Sequence, residues 1–206
     1  MMTVHDALLS PCYRLVIAGT LKDGTRGVGE TMDFRQINAS DVSWLRTPRG
    51  AGACLPGCDK LTVQTPVVAC TVGQMLSRYS HGWALTLTLP DDDPVCRAFG
   101  EFIDAIQASA TRWVAESQPS FGAPADSLSS GLGARQLRVT AFSDTLFFDA
   151  AQCADPSGWT ACACVLQLQG LWTSPTRWGL RWKVVQAKQA SDAAAAAVTV
   201  PYAFDD

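Results

Sequence analysis

LQLQGLWTSPTRWGLRWKVVQAKQ, residues 166–189, holds three of the chain's seven tryptophans (Trp172, Trp178, Trp182) and four cations (Arg177, Arg181, Lys183, Lys188). It has no Asp or Glu, although the whole chain carries a formal charge of −3. The stretch reads as two strands around a turn. Leu166, Leu168 and Gly170 alternate with Gln167, Gln169 and Leu171, and Thr173-Ser174-Pro175-Thr176 breaks the run. Beyond the break, Trp178, Leu180, Trp182 and Val184 share one face, while Arg181 and Lys183 share the other. A hairpin carrying aromatics and cations with no acid among them suits a polyanion with stackable bases. Tryptophan in strand alternation serves equally well as core, so two roles compete for these rings. The division expected is Leu180 and Trp182 inward, with Arg181, Lys183, Trp172 and Arg177 outward.

The bulk numbers narrow the setting. With 206 residues and 48% hydrophobic content, the chain can bury a sizeable core in one domain. Only 17% of residues are charged and the pI is near 5.3, so any contact with nucleic acid is local rather than a matter of bulk charge. No apolar run reaches the roughly eighteen residues of a membrane span. The first residues lack a basic leader and meet Pro11 and Arg14 early, so no signal peptide is expected. The eight cysteines then read as reduced intracellular thiols, with Cys12, Cys70, Cys162 and Cys164 packing as small hydrophobes in strand-like runs.

Outward from the hairpin, residues 11–19 and 28–37 read as strands around a Lys22-Asp23-Gly24-Thr25 turn. Residues 38–60 are rich in Gly, Pro and small polar residues and read as a long loop. It carries a second aromatic and cation cluster (Trp44, Arg46, Arg49) and a Cys54/Cys58 pair that could be half a zinc site but lacks its other half. Residues 61–72 are β-rich, with Pro66 marking an edge or bulge. In residues 82–89, Trp83, Leu85, Leu87 and Leu89 fall on one strand face. Asp91-Asp92-Asp93-Pro94 opens an amphipathic helix through about Glu116, with Phe99, Phe102, Ile103, Ile106, Ala110, Trp113 and Val114 at helical spacing. The three acids are read as a helix cap rather than a metal site. Residues 118–134 read as a flexible linker. After it, Arg138, Thr140 and Phe142 lie on one strand face and Leu137, Val139 and Ala141 on the other. The domain is expected over 1–190, followed by an Ala-rich acidic tail over 191–206 that ends in Phe204, Asp205 and Asp206.

No GxSxG, HExxH, Walker A or deaminase signature occurs, and the two histidines have no paired partner. An enzyme is therefore the weaker class, and no cofactor is expected.

The order of parts resembles the single-stranded DNA-binding proteins of nucleocytoplasmic large DNA viruses. The resemblance covers roughly residues 61–189. It rests on Gln64-Thr65-Pro66, the Leu-alternating strand, the acid-capped helix with Phe at its start, and the terminal blocks Gly170-Leu171-Trp172-Thr173-Ser174 and Trp178-Gly179-Leu180-Arg181-Trp182-Lys183. It implies a mainly β, α+β domain: an OB-fold-like Greek-key β-barrel with one long amphipathic helix. It also implies binding of exposed DNA strands in viral replication, repair or packaging, at the replication site in host cytoplasm or nucleus, or in the virion. The residues expected at the DNA are Trp172, Arg177, Trp178, Arg181, Lys183, Arg138 and Phe142, with Trp44, Arg46 and Arg49 as the second cluster. Phage and bacterial proteins of this function end in acidic, aromatic tails that recruit replication proteins, which Phe204-Asp205-Asp206 resembles. The alternative is a minor virion component in which the Trp-rich hairpin packs inside or against a neighbour.

Overall fold

The 166–189 hairpin forms as read, and its first strand closes the sheet on itself. The computed structural model describes residues 31–47, 50–55, 60–76, 81–131, 133–149, 152–153 and 155–190. The expectations for residues 11–19, the Lys22-Asp23-Gly24-Thr25 turn, Arg49, Cys58 and the tail with Phe204, Asp205 and Asp206 lie outside the described residues.

In chain order the strands are β1 (Ser43–Thr47), β2 (Gly50–Cys54), β3 (Thr62–Gln64), β4 (Val68–Leu76) and β5 (His81–Pro90). The helix α1 (Pro94–Ser117) follows, then β6 (Ala123–Pro124), β7 (Leu128–Gly131), β8 (Ala134–Asp149), β9 (Gln152–Cys153), β10 (Ala161–Thr173) and β11 (Arg177–Gln189). β4, β5, β8, β11 and β10 pair in that order, and β10 pairs again with β4, so five strands form a closed barrel. All these pairings are antiparallel except β8 with β11. The first barrel strand pairs with the second and fourth, and the third with the second and fifth, which is the Greek-key arrangement of an OB-fold-like barrel. The expected fold class is the one observed.

Strand alternation fills the barrel. Leu85, Leu87 and Leu89 of β5, and Leu137, Val139 and Ala141 of β8, are buried, while Arg138 is exposed and Thr140 and Phe142 are half-buried. Asp93 caps α1 by accepting hydrogen bonds from the N–H groups of Val95 (2.6 Å) and Cys96 (2.9 Å), so its acid serves the helix end. Phe99, Phe102, Ile103, Ile106, Ala110 and Val114 form the buried stripe of the helix. Arg135 ties the helix to β8: its guanidinium donates to Asp104 (3.0 Å) and to the Arg97 carbonyl (3.0 Å).

Three expectations are corrected. Residues 38–60 are not one irregular loop, because β1 and β2 pair antiparallel from Ser43↔Cys54 to Thr47↔Gly50. The pattern is hidden because β2 is Gly-Ala-Gly-Ala-Cys, whose small side chains carry little hydrophobic alternation. The described end of the 28–37 segment is a 3₁₀ turn at Phe34–Gln36 preceded by a single bridge from Met32 to Val63, capped by Asp33. The 118–134 linker contains the short strands β6 and β7.

Two residues let β10 serve two partners on one edge. β10 pairs with β4 at Ala161 and Cys162, and with β3 at Val165 to Gln167. Between them Pro66, which has no N–H, interrupts the strand. Fully buried Thr65 spans the break. Its N–H donates to the Cys164 carbonyl (2.8 Å), its Oγ1 accepts from the Cys164 N–H (2.9 Å) and donates to the Pro66 carbonyl (2.8 Å). Further along, β10 carries a bulge between Leu168 and Gly170. Gly170 has φ +119°, and a Cβ there would lie 1.8 Å from the Ala51 carbonyl oxygen, so only glycine allows the β1–β2 hairpin to lie on the bulge.

Thr65→Val strands the buried Cys164 N–H, and urea denaturation is expected to show a loss of about 1–3 kcal/mol. Gly170→Ala adds both left-handed strain and a backbone clash, with an expected loss of at least about 2 kcal/mol in the same measurement.

Candidate nucleic-acid interface

The outer faces of β8 and β11 meet in a groove of about 310 Å³. It is lined by Arg138 and Thr140 of β8, by Trp172 of β10, by Gly179 to Trp182 of β11, and by Ala125 to Ser127 between β6 and β7. The face between the second and third barrel strands and the loop between the fourth and fifth are where OB-folds take up oligonucleotides. Here those parts are β5, β8 and the Ser174–Arg177 turn, of which only β8 lines this groove. Ser174 fixes that turn: its N–H donates to the Arg177 carbonyl (2.7 Å), and its hydroxyl accepts from the Arg177 N–H (3.0 Å).

The half-buried Trp172 is placed by its cross-strand neighbour. Trp172 pairs with Gly179, and a Cβ on Gly179 would lie 2.8 Å from the indole Nε1 and 2.9 Å from Cε2 and Cζ2. The glycine therefore lets the ring lie down on the sheet. Arg138 and Arg181 are exposed on the same groove, and among the described residues neither has a carboxylate within ion-pair range. Exposed Arg177 follows the turn. An aromatic face between guanidiniums can stack a planar group and hold an anion beside it. Asp126 also lines the groove, so its negative charge biases where an anion sits.

No protein-family model matches this chain, and no curated protein matches it in sequence. Among solved structures it is similar to gp2.5, a single-stranded DNA-binding protein encoded by bacteriophage T7. The identity is 11%, the match covers 64% of this chain and 93% of that chain, and the TM-score is 0.44. It is also similar to the single-stranded DNA-binding protein of bacteriophage Enc34, at 10% identity, 73% and 90% coverage and TM-score 0.49. The same Enc34 protein in complex with ssDNA gives 9%, 74% and 96%, and 0.48.

The structure brings Trp172, Arg138 and Arg181 together in the groove, with Lys183 and Phe142 further along β11 and β8 and Arg177 beside the turn, while Trp178 and Trp44 are buried in the core. Trp178 is a correction. It is 1% exposed inside the barrel and has no face to offer a base, because β11 alternates and position 178 falls on the same side as Trp182 and Val184. Trp44 is likewise buried: its Nε1–H donates to Ser109 Oγ (3.1 Å) and its ring lies 6.5 Å from that of Trp113, so it fastens the β1–β2 hairpin to α1. Arg46 is exposed on β1 without that ring beside it.

Lys183 is not an open cation. Its Nζ donates to Asp144 Oδ2 (2.5 Å) and lies 5.9 Å from the centre of the half-buried Phe142 ring. The hydrogen bond from Lys183 holds the Asp144 carboxyl below the usual carboxylate range.

Cys54 is half-buried with its thiol toward the Ser43 carbonyl, and no cluster of three metal-ligating side chains occurs among the described residues. Cys70, Cys162 and Cys164 pack as buried thiols. The Cys162 and Cys164 sulfurs are 3.7 Å apart; the hydrogen bond with Cys164 raises the pKa of Cys162, the hydrogen bond with Cys162 raises that of Cys70, and burial lifts both further above the ordinary thiol value. Burial, with the Asp93 carboxylate beside it, pushes Cys96 up to about 12.

Thr140, Leu180, Ser127 and Asp126 join the groove without having been expected there. Thr140 shares the outward face of Arg138, and that alternation was the available signal. Nothing in the local sequence marks Asp126.

Because Asp144 titrates low in the folded chain, its pairing contributes at pH values above the unfolded carboxylate pKa and is lost as pH falls through the lowered value. An NMR pH titration is expected to show Asp144 below the ordinary aspartate range, and returning toward it in Lys183→Ala.

Proposed function

We propose that this chain binds single-stranded DNA along the β8–β11 face with little sequence preference. The observation that carries this reading is the Trp172 indole seated over Gly179 in a groove shared with Arg138 and Arg181. Bases stack on Trp172, at about 1–3 kcal/mol per base. Phosphates meet Arg138, Arg181 and, beside the turn, Arg177. Lys183 and Phe142 extend the track, with Lys183 exchanging Asp144 for a phosphate. A duplex keeps its base faces stacked and so withholds them from Trp172. The role is binding rather than catalysis, since the groove couples stacking and charge without a paired acid and base. Action in viral replication, repair or packaging, and recruitment of replication proteins through Phe204, Asp205 and Asp206, are supported by the sequence resemblance.

Fluorescence anisotropy with labelled oligo-dT over a range of salt tests this. Binding at low salt is expected, with a log–log salt slope of about −2 if three phosphates are met on a single strand, and weaker binding to duplex. Trp172→Ala is expected to weaken oligo-dT by about 1–3 kcal/mol. Arg138→Glu combined with Arg181→Glu should remove most binding while circular dichroism stays unchanged. No oligo-dT binding at low salt, or wild-type affinity in both variants, overturns the reading and leaves the hairpin a packing element.

A further inference from the structure

β8 and β11 part for one short stretch beyond the groove. Their parallel pairing runs to Ala141↔Val184 and resumes at Leu146↔Gln186, so residues 142–145 of β8 stand against Val185 alone. An ordinary bulge sets two residues against one, and bulges serve to re-aim side chains. Buried Thr145 holds this longer one: its hydroxyl accepts from the Phe142 N–H (3.0 Å) and donates to the Val184 carbonyl (2.6 Å). The bulge carries Ser143 and Asp144 outward, both exposed, and Asp144 meets Lys183 of β11 at 2.5 Å.

The ion pair is not what keeps the bulge in place. Thr145 already ties the two strands, and the Asp144 side chain is 65% exposed, where a pair to one lysine contributes little. Arg135 shows the contrast, since it joins the helix to the sheet through both Asp104 and the Arg97 carbonyl. Lys183 is also placed without help from its acid. Its side chain is only 15% exposed, its Nζ lies 5.9 Å from the centre of the Phe142 ring, and a lysine stem packs on apolar surface. On β11 it stands two residues, about 7 Å, beyond Arg181 on the same outward face.

We propose that Lys183 is a phosphate subsite and that Asp144 is an internal stand-in for the phosphate, occupying the lysine until a DNA strand displaces it. The proposal rests on the reading of the neighbouring groove as a site for single-stranded DNA. To an ammonium, a carboxylate and a phosphate present the same chemistry: anionic oxygens that accept its hydrogen bonds. A strand wins the exchange because it arrives with other phosphates already met by Arg138 and Arg181, which raises the effective concentration of the next phosphate at Lys183. Asp144 therefore sets the affinity below what the cations alone would give, and the bulge exists to hold that acid over the track.

Oligo-dT anisotropy on the full chain and on three variants, Asp144→Asn, Lys183→Ala and the two combined, tests this. Asp144→Asn is expected to tighten binding roughly threefold, the scale of one exposed ion pair, and Lys183→Ala to weaken it. In the Lys183→Ala background the gain from Asp144→Asn is expected to fall to little or nothing, because the carboxylate there has no cation to withhold. An equal gain in both backgrounds makes Asp144 a general repelling charge and overturns the exchange. Unchanged affinity in Asp144→Asn overturns it too, and either result leaves the groove a DNA site. In the ¹³C-labelled wild-type chain, saturating oligo-dT is expected to move the Asp144 carboxyl resonance toward its position in Lys183→Ala. Oligo-dT binding with that resonance unmoved overturns the exchange as well. Absence of oligo-dT binding at low salt overturns the underlying reading, and the subsite with it.

Discussion

Everything in this fold depends on β10 having both edges occupied. One edge pairs with β11 along nearly the full length of the hairpin, and the other is shared by β3 and β4. A straight, evenly twisted strand does not change partners part-way. The chain meets this constraint twice: by the Pro66 interruption that Thr65 bridges, and by the bulge at Gly170 that receives the β1–β2 hairpin. Both belong to short sequence elements, Gln64-Thr65-Pro66 and Gly170-Leu171-Trp172. What reads as a family-like motif is at the backbone level a device for closing the sheet.

Charge is distributed with the same economy. Arg135 and Arg138 lie three residues apart on β8. The first is held by Asp104 and a helix carbonyl, while the second stands in the groove with no carboxylate in range among the described residues. Lys183 and Arg181 repeat the contrast on β11, since Asp144 occupies the lysine and leaves the arginine open. An acidic protein can thus present a positive track without a basic surface, because the acids neutralise selected cations only. Attraction of a polyanion to such a track is short-ranged at physiological salt, where charges separated by more than about 8 Å are largely screened.

The strongly periodic elements were legible in the sequence: β5, β11 and the capped helix carry a clear period and a stop signal, and so do β8 over its first half to Phe142 and β10 from Leu166, whereas the second half of β8 and the continuously buried start of β10 lack alternation. β1 and β2 were not, since Gly and Ala give no amphipathic signal and the anchor Trp44 finds its partner Ser109 sixty-five residues away. β6 and β7 are too short for any period to register. At the site, alternation separated Trp182 from Arg181 correctly. The same alternation puts Trp178 on the inward face with Trp182, so expecting Trp178 at the DNA went against the period, whereas the seating of Trp172 depends on Gly179 standing across the hairpin. The Lys183–Asp144 pair was hidden for the same reason, with thirty-nine residues between partners that only the parallel β8–β11 pairing brings together.

That parallel pairing bears on how the molecule comes into being. β11 joins β6, β8 and β10, so three earlier elements wait for it with bonding edges unfilled. A nascent chain that has emerged from the ribosome only as far as β10 holds a curved open sheet rather than a barrel. Such edges invite pairing with other chains. Contacts between distant segments also make closure slow relative to helix formation, so α1 and the β4–β5 hairpin are the parts able to organise during synthesis. The strand that completes the candidate binding groove is therefore also the one that seals the exposed edges, and the groove does not exist before the barrel does.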